Sequence, residues 1–353
     1  MLLWVLEVIL VYFVIRNMKK IIQLLFLVSL SSFSQVGGEN IYNFLNLTGS
    51  AKQASLGGKT LTLLDDVNQP LWNPSTINQE LDNQLSVNYL NYLADINLTS
   101  ASFAHMISRK FGIIHAGITY LNYGKFISAD EEGIETGNFK AYDFSFSVGY
   151  AYNIFQTDIF VGANIKLINS VIENYTSFGI GVDLSLLYFN KYNPYVFTLV
   201  VRNIGYQVTF FDEIRENLPL EIDLGTSYSL ENVPIRFHFT FDNLQKWNLS
   251  ASNPSNSITD INGNVTEEKV SFFNNTIRHL SVGAELFPEG AFNIRLGYNF
   301  RRAKELQLID KRTFSGFTAG FGIKMNKLKF NYAFSKYHPA SNASTFSLQI
   351  NLN

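Results

Sequence analysis

Apolar and polar residues alternate along most of this chain. Phe144, Phe146, Val148, Tyr150 and Tyr152 fall on one side of a period-two pattern, with Asp143, Ser145, Ser147, Gly149, Ala151 and Asn153 on the other. Phe178, Ile180, Val182, Leu184, Leu186 and Tyr188 stand in the same relation to Ser177, Gly179, Gly181, Asp183 and Ser185. Successive side chains of an extended chain point to opposite faces, so each run predicts a strand with one greasy and one wet face. Fourteen such windows begin near Gln84, Asp95, Gly112, Asn138, Thr157, Asn174, Tyr195, Leu220, Pro234, Thr276, Ala291, Ser315, Lys327 and Ser344. Most run about ten residues, which matches the span of a tilted strand across a bilayer.

A soluble β-sandwich alternates as well. It would have to hide all these bulky faces, rich in Phe, Ile and Leu, in one interior. The connections argue further against it. Links such as Arg109–Phe111, Ile154–Gln156, Phe189–Pro194, Glu231–Val233, Phe287–Gly290 and Asn326 are short. Asn122–Gly137, Ile204–Pro219, Leu244–Asn275 and Arg301–Phe314 are long. Short turns at one rim and long loops at the other mark an outer-membrane barrel. The predicted fold is therefore all-β: a fourteen-stranded antiparallel transmembrane β-barrel over residues 84–353. It must be closed, because lipid offers no partner to an open strand edge. With an even strand count both termini are expected at the short-turn, periplasmic side, with the long loops extracellular. Tyr89, Tyr92, Tyr120, Tyr123, Tyr142, Tyr152, Tyr188, Tyr192 and Tyr195 cluster at strand ends, as an aromatic girdle requires.

Residues 35–83 do not alternate. Ser50 followed by Ala51, Ala54, Leu56, Gly57 and Gly58 predicts a short capped helix stopped by glycine. Asp65-Asp66 and Asn73-Pro74 predict turns or helix starts. A fourteen-stranded lumen is too wide for its own side chains to fill. The segment is therefore expected to be an N-terminal plug, its small residues packing against the wall. Asp65 and Asp66 suit either a cation or a solvated turn. Before the plug, Lys19-Lys20, the apolar run Ile21–Leu30 and Ser32-Phe33-Ser34 read as a signal peptide over 18–34. Residues 1–17 then read as a misassigned extension upstream of Met18.

Composition narrows the function. No cysteine is present, so disulfides and thiolate metal sites are excluded. With 27 basic and 29 acidic side chains there is no basic excess for nucleic acid. No Gly-x-Ser-x-Gly, His-Glu-x-x-His or P-loop motif occurs, and the five histidines are scattered. No enzymatic chemistry, cofactor or metal is expected. Asp143, Lys166, Asp183, Asp223, Arg236, Arg295 and Lys324 fall on lumen faces with mixed sign. That mixture favours internal neutralised pairs over an ion-selective channel. Trp247, Phe272 and Phe273 flank the longest loop. They suit a partner-docking patch or a membrane boundary equally well.

The run Gly37-Gly38-Glu39, Tyr42-Asn43-Phe44-Leu45, Ser50-Ala51 through Leu56-Gly57-Gly58, Asp65-Asp66 and Asn73-Pro74 resembles the PorQ family. So does Gly137-Asn138-Phe139-Lys140-Ala141-Tyr142-Asp143. PorQ proteins belong to the type IX secretion system of Bacteroidetes-type bacteria and are similar to PorV and, more distantly, to the FadL transporters. Leu47-Thr48-Gly49 departs from the Leu-Pro of that family, and the chain ends in Asn353 where many barrels end in Phe. The resemblance implies a non-enzymatic outer-membrane anchor. It would hold a surface protein similar to PorZ, with PorU and PorV in the same cargo-attachment complex and outer-membrane lipid around it. The alternative is a FadL-like passive transporter of a small hydrophobic ligand; a general porin is a third reading.

Overall fold

The computed structural model describes residues 40–154, 157–212, 215–249, 258–259, 265–266, 271–306, 314–338 and 341–353. The segments read as extension (1–17) and signal peptide (18–34), the first residues of the plug and much of Leu244–Asn275 lie outside the described residues.

Fourteen strands close into one antiparallel ring. They are β1 (Gln84–Leu93), β2 (Ile96–Ser108), β3 (Gly112–Ala129), β4 (Glu135–Asn153), β5 (Ile159–Ile172), β6 (Tyr175–Phe189) and β7 (Tyr195–Thr209). There follow β8 (Glu221–Ser229), β9 (Ile235–Phe241), β12 (Leu280–Leu286), β13 (Phe292–Asn299), β14 (Phe317–Met325), β15 (Leu328–His338) and β16 (Ser341–Asn351). The small strands β10 (Ile258–Thr259) and β11 (Val265–Thr266) pair only with each other, in the loop between β9 and β12. β1 closes the ring on β16, from Gln84 opposite Asn351 to Asn91 opposite Ser344.

The alternation sets the two faces. Val87, Phe146, Ile165, Leu186, Phe197 and Leu348 are exposed on the outside. Their neighbours Ser86, Ser145, Asn164, Ser185, Thr198 and Gln349 are buried inside. An apolar belt around a closed ring of paired backbone is what hydrocarbon requires, so this is a membrane-spanning barrel of the outer-membrane type.

All strands but β4, β12 and β16 start within two residues of the position given by the alternation. The Asn122–Gly137 connection, expected as a long loop, is mostly strand. β3 runs on to Ala129 and β4 begins at Glu135, so the pair stands above the rim as a two-stranded ribbon. Phe126 stacks on Phe139 across it, with ring centroids 5.1 Å apart. β12 starts later than expected because the residues before it are helical over Phe272–Arg278. Ser271 caps that helix by accepting the Asn274 N–H. Another short helix, Phe300–Glu305, lies in the connection from β13 to β14. Strand length is also far less uniform than ten residues: β9 has 7 and β4 has 19.

The barrel's own ends, Gln84 and Asn351, meet at the short-turn rim. Asn40 does not lie there. It bridges Asn217 in the β7–β8 connection, where the Ile41 N–H donates to the Asn217 carbonyl at 3.0 Å. The first described residue is thus at the long-loop rim. Residues 40–83 run down the lumen before β1 begins.

Candidate functional site: the plugged lumen and its vestibule

The plug starts with an apolar layer. Ile41, Tyr42 and Phe44 pack on Leu90, Leu98, Leu121 and Ile168 of the wall, near the long-loop rim. The backbone makes its turn there with Tyr42 in the left-handed region (φ 59). The Tyr42 hydroxyl lies 2.6 Å from Ser177 Oγ. Burial raises its pKa above the ordinary phenol value, and the Ser177 hydrogen bond offsets part of that rise.

Below this layer sits the Ala51–Ser55 helix, with Ser50 at its N-cap. Gly57 (φ +91) and Gly58 (φ +84) end it in a conformation that other residues rarely adopt. Ala51 and Ala54 meet Ala333 of the wall. The Ala51 N–H donates to Ser347 Oγ at 2.9 Å, and the Gly57 N–H donates to Thr318 Oγ1 at 3.0 Å. Leu56 is buried beside them. A Cβ on wall residue Gly297 would collide with the backbone of Leu56 and Gly57. Small residues on both sides therefore let two backbones approach.

Further along, Asn73 Nδ2 donates to the Leu61 carbonyl (2.8 Å) and to Thr198 Oγ1 (3.0 Å). Asn73 Oδ1 accepts from Ser75 and caps the Pro74–Thr76 turn. The Ser75 N–H also donates to Ser185 Oγ at 2.8 Å. Asp66 accepts from Ser50 Oγ at 2.8 Å and from Asn68. Asp65 pairs with Lys52 at 2.7 Å. Burial pushes the Asp65 carboxyl up, but Lys52, Lys329 and Arg236 together hold it well below the usual carboxylate range. Both carboxylates are therefore supplied with donors from the chain itself. Among the described residues no group of three or more His, Asp or Glu is placed to hold a metal ion.

Buried charges tie plug to wall. Lys59 of the plug pairs with Glu221 of β8 at 2.9 Å. Arg202 of β7 bonds the same carboxylate and lies 3.4 Å from Asp223. The Arg202 guanidinium stacks 4.0 Å from the ring centre of Trp72. Lys52 reaches Glu285 Oε1 of β12 at 3.4 Å, and Arg295 of β13 bonds the same oxygen at 2.9 Å. Within the wall, Lys166 pairs with Asp183 at 2.7 Å and donates to Asn203 Oδ1 at 2.9 Å. His115 Nε2 donates to the Val67 carbonyl (3.0 Å), while His238 Nδ1 shares a hydrogen bond with Thr62 Oγ1 (2.9 Å). These imidazoles brace the plug against the wall.

Trp247, Phe272 and Phe273 stand at the long-loop rim, away from the lumen network. Trp247 stacks on His279 (5.0 Å) and on Phe272 (5.4 Å). Phe272 and Phe273 open the helix before β12 and remain largely exposed.

Beneath the plug the lumen widens into a vestibule of about 1780 Å³, open at the short-turn rim. One side carries Met106 and Phe111 together with Arg109 and Lys110. The other carries Arg236, Lys324 and Lys329.

Sequence reasoning did not assign Lys52, Lys59, Arg202, Glu221 or Glu285 to this network. Glu221 was within reach, since it lies two positions from Asp223 on the same strand face. Arg202 was not. β7 carries a bulge where Arg202 and Asn203 both turn inward, with Asn203 at φ 59.

No family model and no curated protein matches this sequence. Among solved structures, the chain is similar to the toluene transporter TbuX of Ralstonia pickettii, at 11% identity and a TM-score of 0.49. That match covers 89% of this chain and 100% of the other. A FadL homologue of Pseudomonas aeruginosa aligns at 10% identity and a TM-score of 0.48, over 87% of this chain and 99% of that one.

Proposed function

We propose that this chain is a sealed outer-membrane barrel that anchors a surface protein, in the manner the PorQ resemblance implies. The single observation that carries the reading is the closed lumen. The apolar layer at Ile41, Tyr42 and Phe44 covers one end of the plug, and buried pairs such as Lys59–Glu221 lock it lower down. A channel would have to break several such contacts at once. An anchor gains from them, because a rigid barrel holds its outer elements in fixed register. In this reading the long-loop rim faces outward, the short-turn rim faces the periplasm, and the partner is a surface protein similar to PorZ, working with PorU and PorV. The ribbon of β3–β4 and the Trp247, Phe272 and Phe273 cluster are the two outer features able to meet it.

Passive transport of a hydrophobic compound is the second reading. It is favoured by apolar side chains at both ends of the plug: the Ile41–Phe44 layer above and Met106 and Phe111 below. Deletion of the gene separates the two. The anchor reading expects cargo proteins to be released into the medium with uptake of toluene-like compounds unchanged. Normal surface attachment with impaired uptake would overturn it in favour of transport.

A further inference from the structure

The vestibule has a chemistry that neither reading uses. It is larger than the ~300–1,000 Å³ of small-molecule sites. Eight Lys or Arg side chains line it against four Asp or Glu, so its net field is positive. Lys52, Arg236 and Arg295 already share the buried Glu285, Arg109, Lys110 and Lys191 lie in the short turns, and Lys324 and Lys329 stand on the wall. Lys324 of β14 and Lys329 of β15 are direct partners across the ladder and both face the lumen. Like charges in that relation repel and destabilise a sheet. Lys329 Nζ reaches the Asp65 carbonyl at 3.3 Å, whereas Lys324 is exposed to the cavity. Arg236, three strands away on β9, also faces the cavity, its guanidinium 3.8 Å from Glu285. The opposite side of the lining mixes the apolar Met106 and Phe111 with Arg109 and Lys110.

We propose that the vestibule receives an acidic, partly apolar segment of a partner polypeptide entering from the short-turn side. Carboxylates of such a segment would lie between Lys324 and Lys329 and relieve their repulsion. Apolar side chains would cover Met106 and Phe111. A fatty-acid-type amphiphile fits less well, because its volume leaves most of the space empty. This inference concerns the rim opposite the one assigned to the surface partner, and it stands or falls independently of that assignment.

The test uses the full mature barrel in lipid nanodiscs and measures fluorescence anisotropy. The probe is a labelled twelve-residue peptide of alternating Asp and Leu, with a Lys-for-Asp counterpart as control. The acidic peptide should bind at least about tenfold more tightly than the basic one, and the preference should shrink with added salt. Lys324→Glu should weaken the acidic peptide by about tenfold or more. The same change should raise the thermal unfolding midpoint, because a carboxylate then faces Lys329. Lys324→Gln provides the same readout with an intermediate loss. Equal binding of the two peptides, binding indifferent to Lys324→Glu, or failure of the acidic peptide to bind the folded wild type would overturn the proposal. So would displacement of the peptide by an equal concentration of palmitate, which would mark an amphiphile site, or by inorganic phosphate, which would mark a simple anion site.

Discussion

At the scale of single residues, the decisive feature is charge placed where water is scarce. Lys166 and Asp183 are both almost fully buried and pair diagonally across β5 and β6, Asp183 lying opposite Asn164. Such a pair adds little net stability over apolar residues of the same shape, but removing one partner strands the other. Lys166→Met should therefore cost ~3–5 kcal/mol, read as a lower midpoint for the loss of the folded, heat-modifiable band on a gel. The double variant Lys166→Met with Asp183→Leu should recover most of that loss. If the single and double variants are equally weakened, the pair is not what stabilises this level of the lumen.

Asp65 gives a pH dependence of definite sign. Its folded pKa lies below the ordinary value, so its contribution is complete above the unfolded pKa of ~3.9 and is lost as pH falls further. The groups that face it are Lys52, Lys329 and Arg236. Wild type should lose thermal stability more steeply on acidification from about pH 5 to 3 than Asp65→Asn does. Parallel curves for the two proteins would show that the Lys52–Asp65 pair does not anchor the plug.

At the scale of elements, the ribbon and the plug behave oppositely. The β2–β3 ladder ends at Asn122 and the β4–β5 ladder at Ala141, so the ribbon beyond them has two free edges. Replacing residues 126–139 by an Asn-Gly turn should change stability by less than ~1 kcal/mol, measured by thermal unfolding. Gly297→Val should do the reverse. Its side chain would occupy the space of Leu56 and Gly57, displace the plug and open residues 51–83 to protease while the barrel itself stays folded.

The same contrast explains what the sequence made legible. A strand wall facing lipid must alternate at every second residue, so the starts of β1, β3 and β7 are written in the chain. Residues 40–83 obey no period, because each packs on whatever wall residue lies opposite. Small residues at Ala51, Ala54 and Gly57 indicate close packing but not direction, and the route from the long-loop rim downward leaves no local trace. Lys59 and Glu221 are 162 positions apart and meet only through the closure of the ring. Only the end of the Phe272–Arg278 helix, from Thr276, passes for strand, because it leads directly into the alternation of β12; the residues before it fall in the expected loop.

At the scale of the molecule, the barrel wall is unequal. β3 and β4 have 18 and 19 residues, whereas β9 and β12 have 7 each. At ~3.3 Å per residue and a tilt of ~40°, seven residues rise roughly 18 Å, short of the ~25 Å apolar band of outer-membrane barrels. The low sector is where Phe272, Phe273 and Phe314 stand, 75%, 70% and 84% exposed. Rings placed just beyond short strands extend the greasy surface that the strands leave incomplete. This argues for Phe272 and Phe273 as a lipid boundary over a docking patch, and leaves the ribbon as the stronger candidate for an outer partner. A wall that is low on one side should also prefer a thin bilayer, since matching a thick one would draw polar rim residues into hydrocarbon. The thermal midpoint in phosphatidylcholine vesicles should therefore be highest with acyl chains of ~12–14 carbons and fall toward ~18. Phe272→Asp with Phe273→Asp should lower the midpoint in thick bilayers most, because it shortens the belt where it is already shortest. A midpoint that rises steadily with chain length, or one that the double Asp variant leaves untouched in every lipid, would place those rings in water and return them to the search for a protein partner.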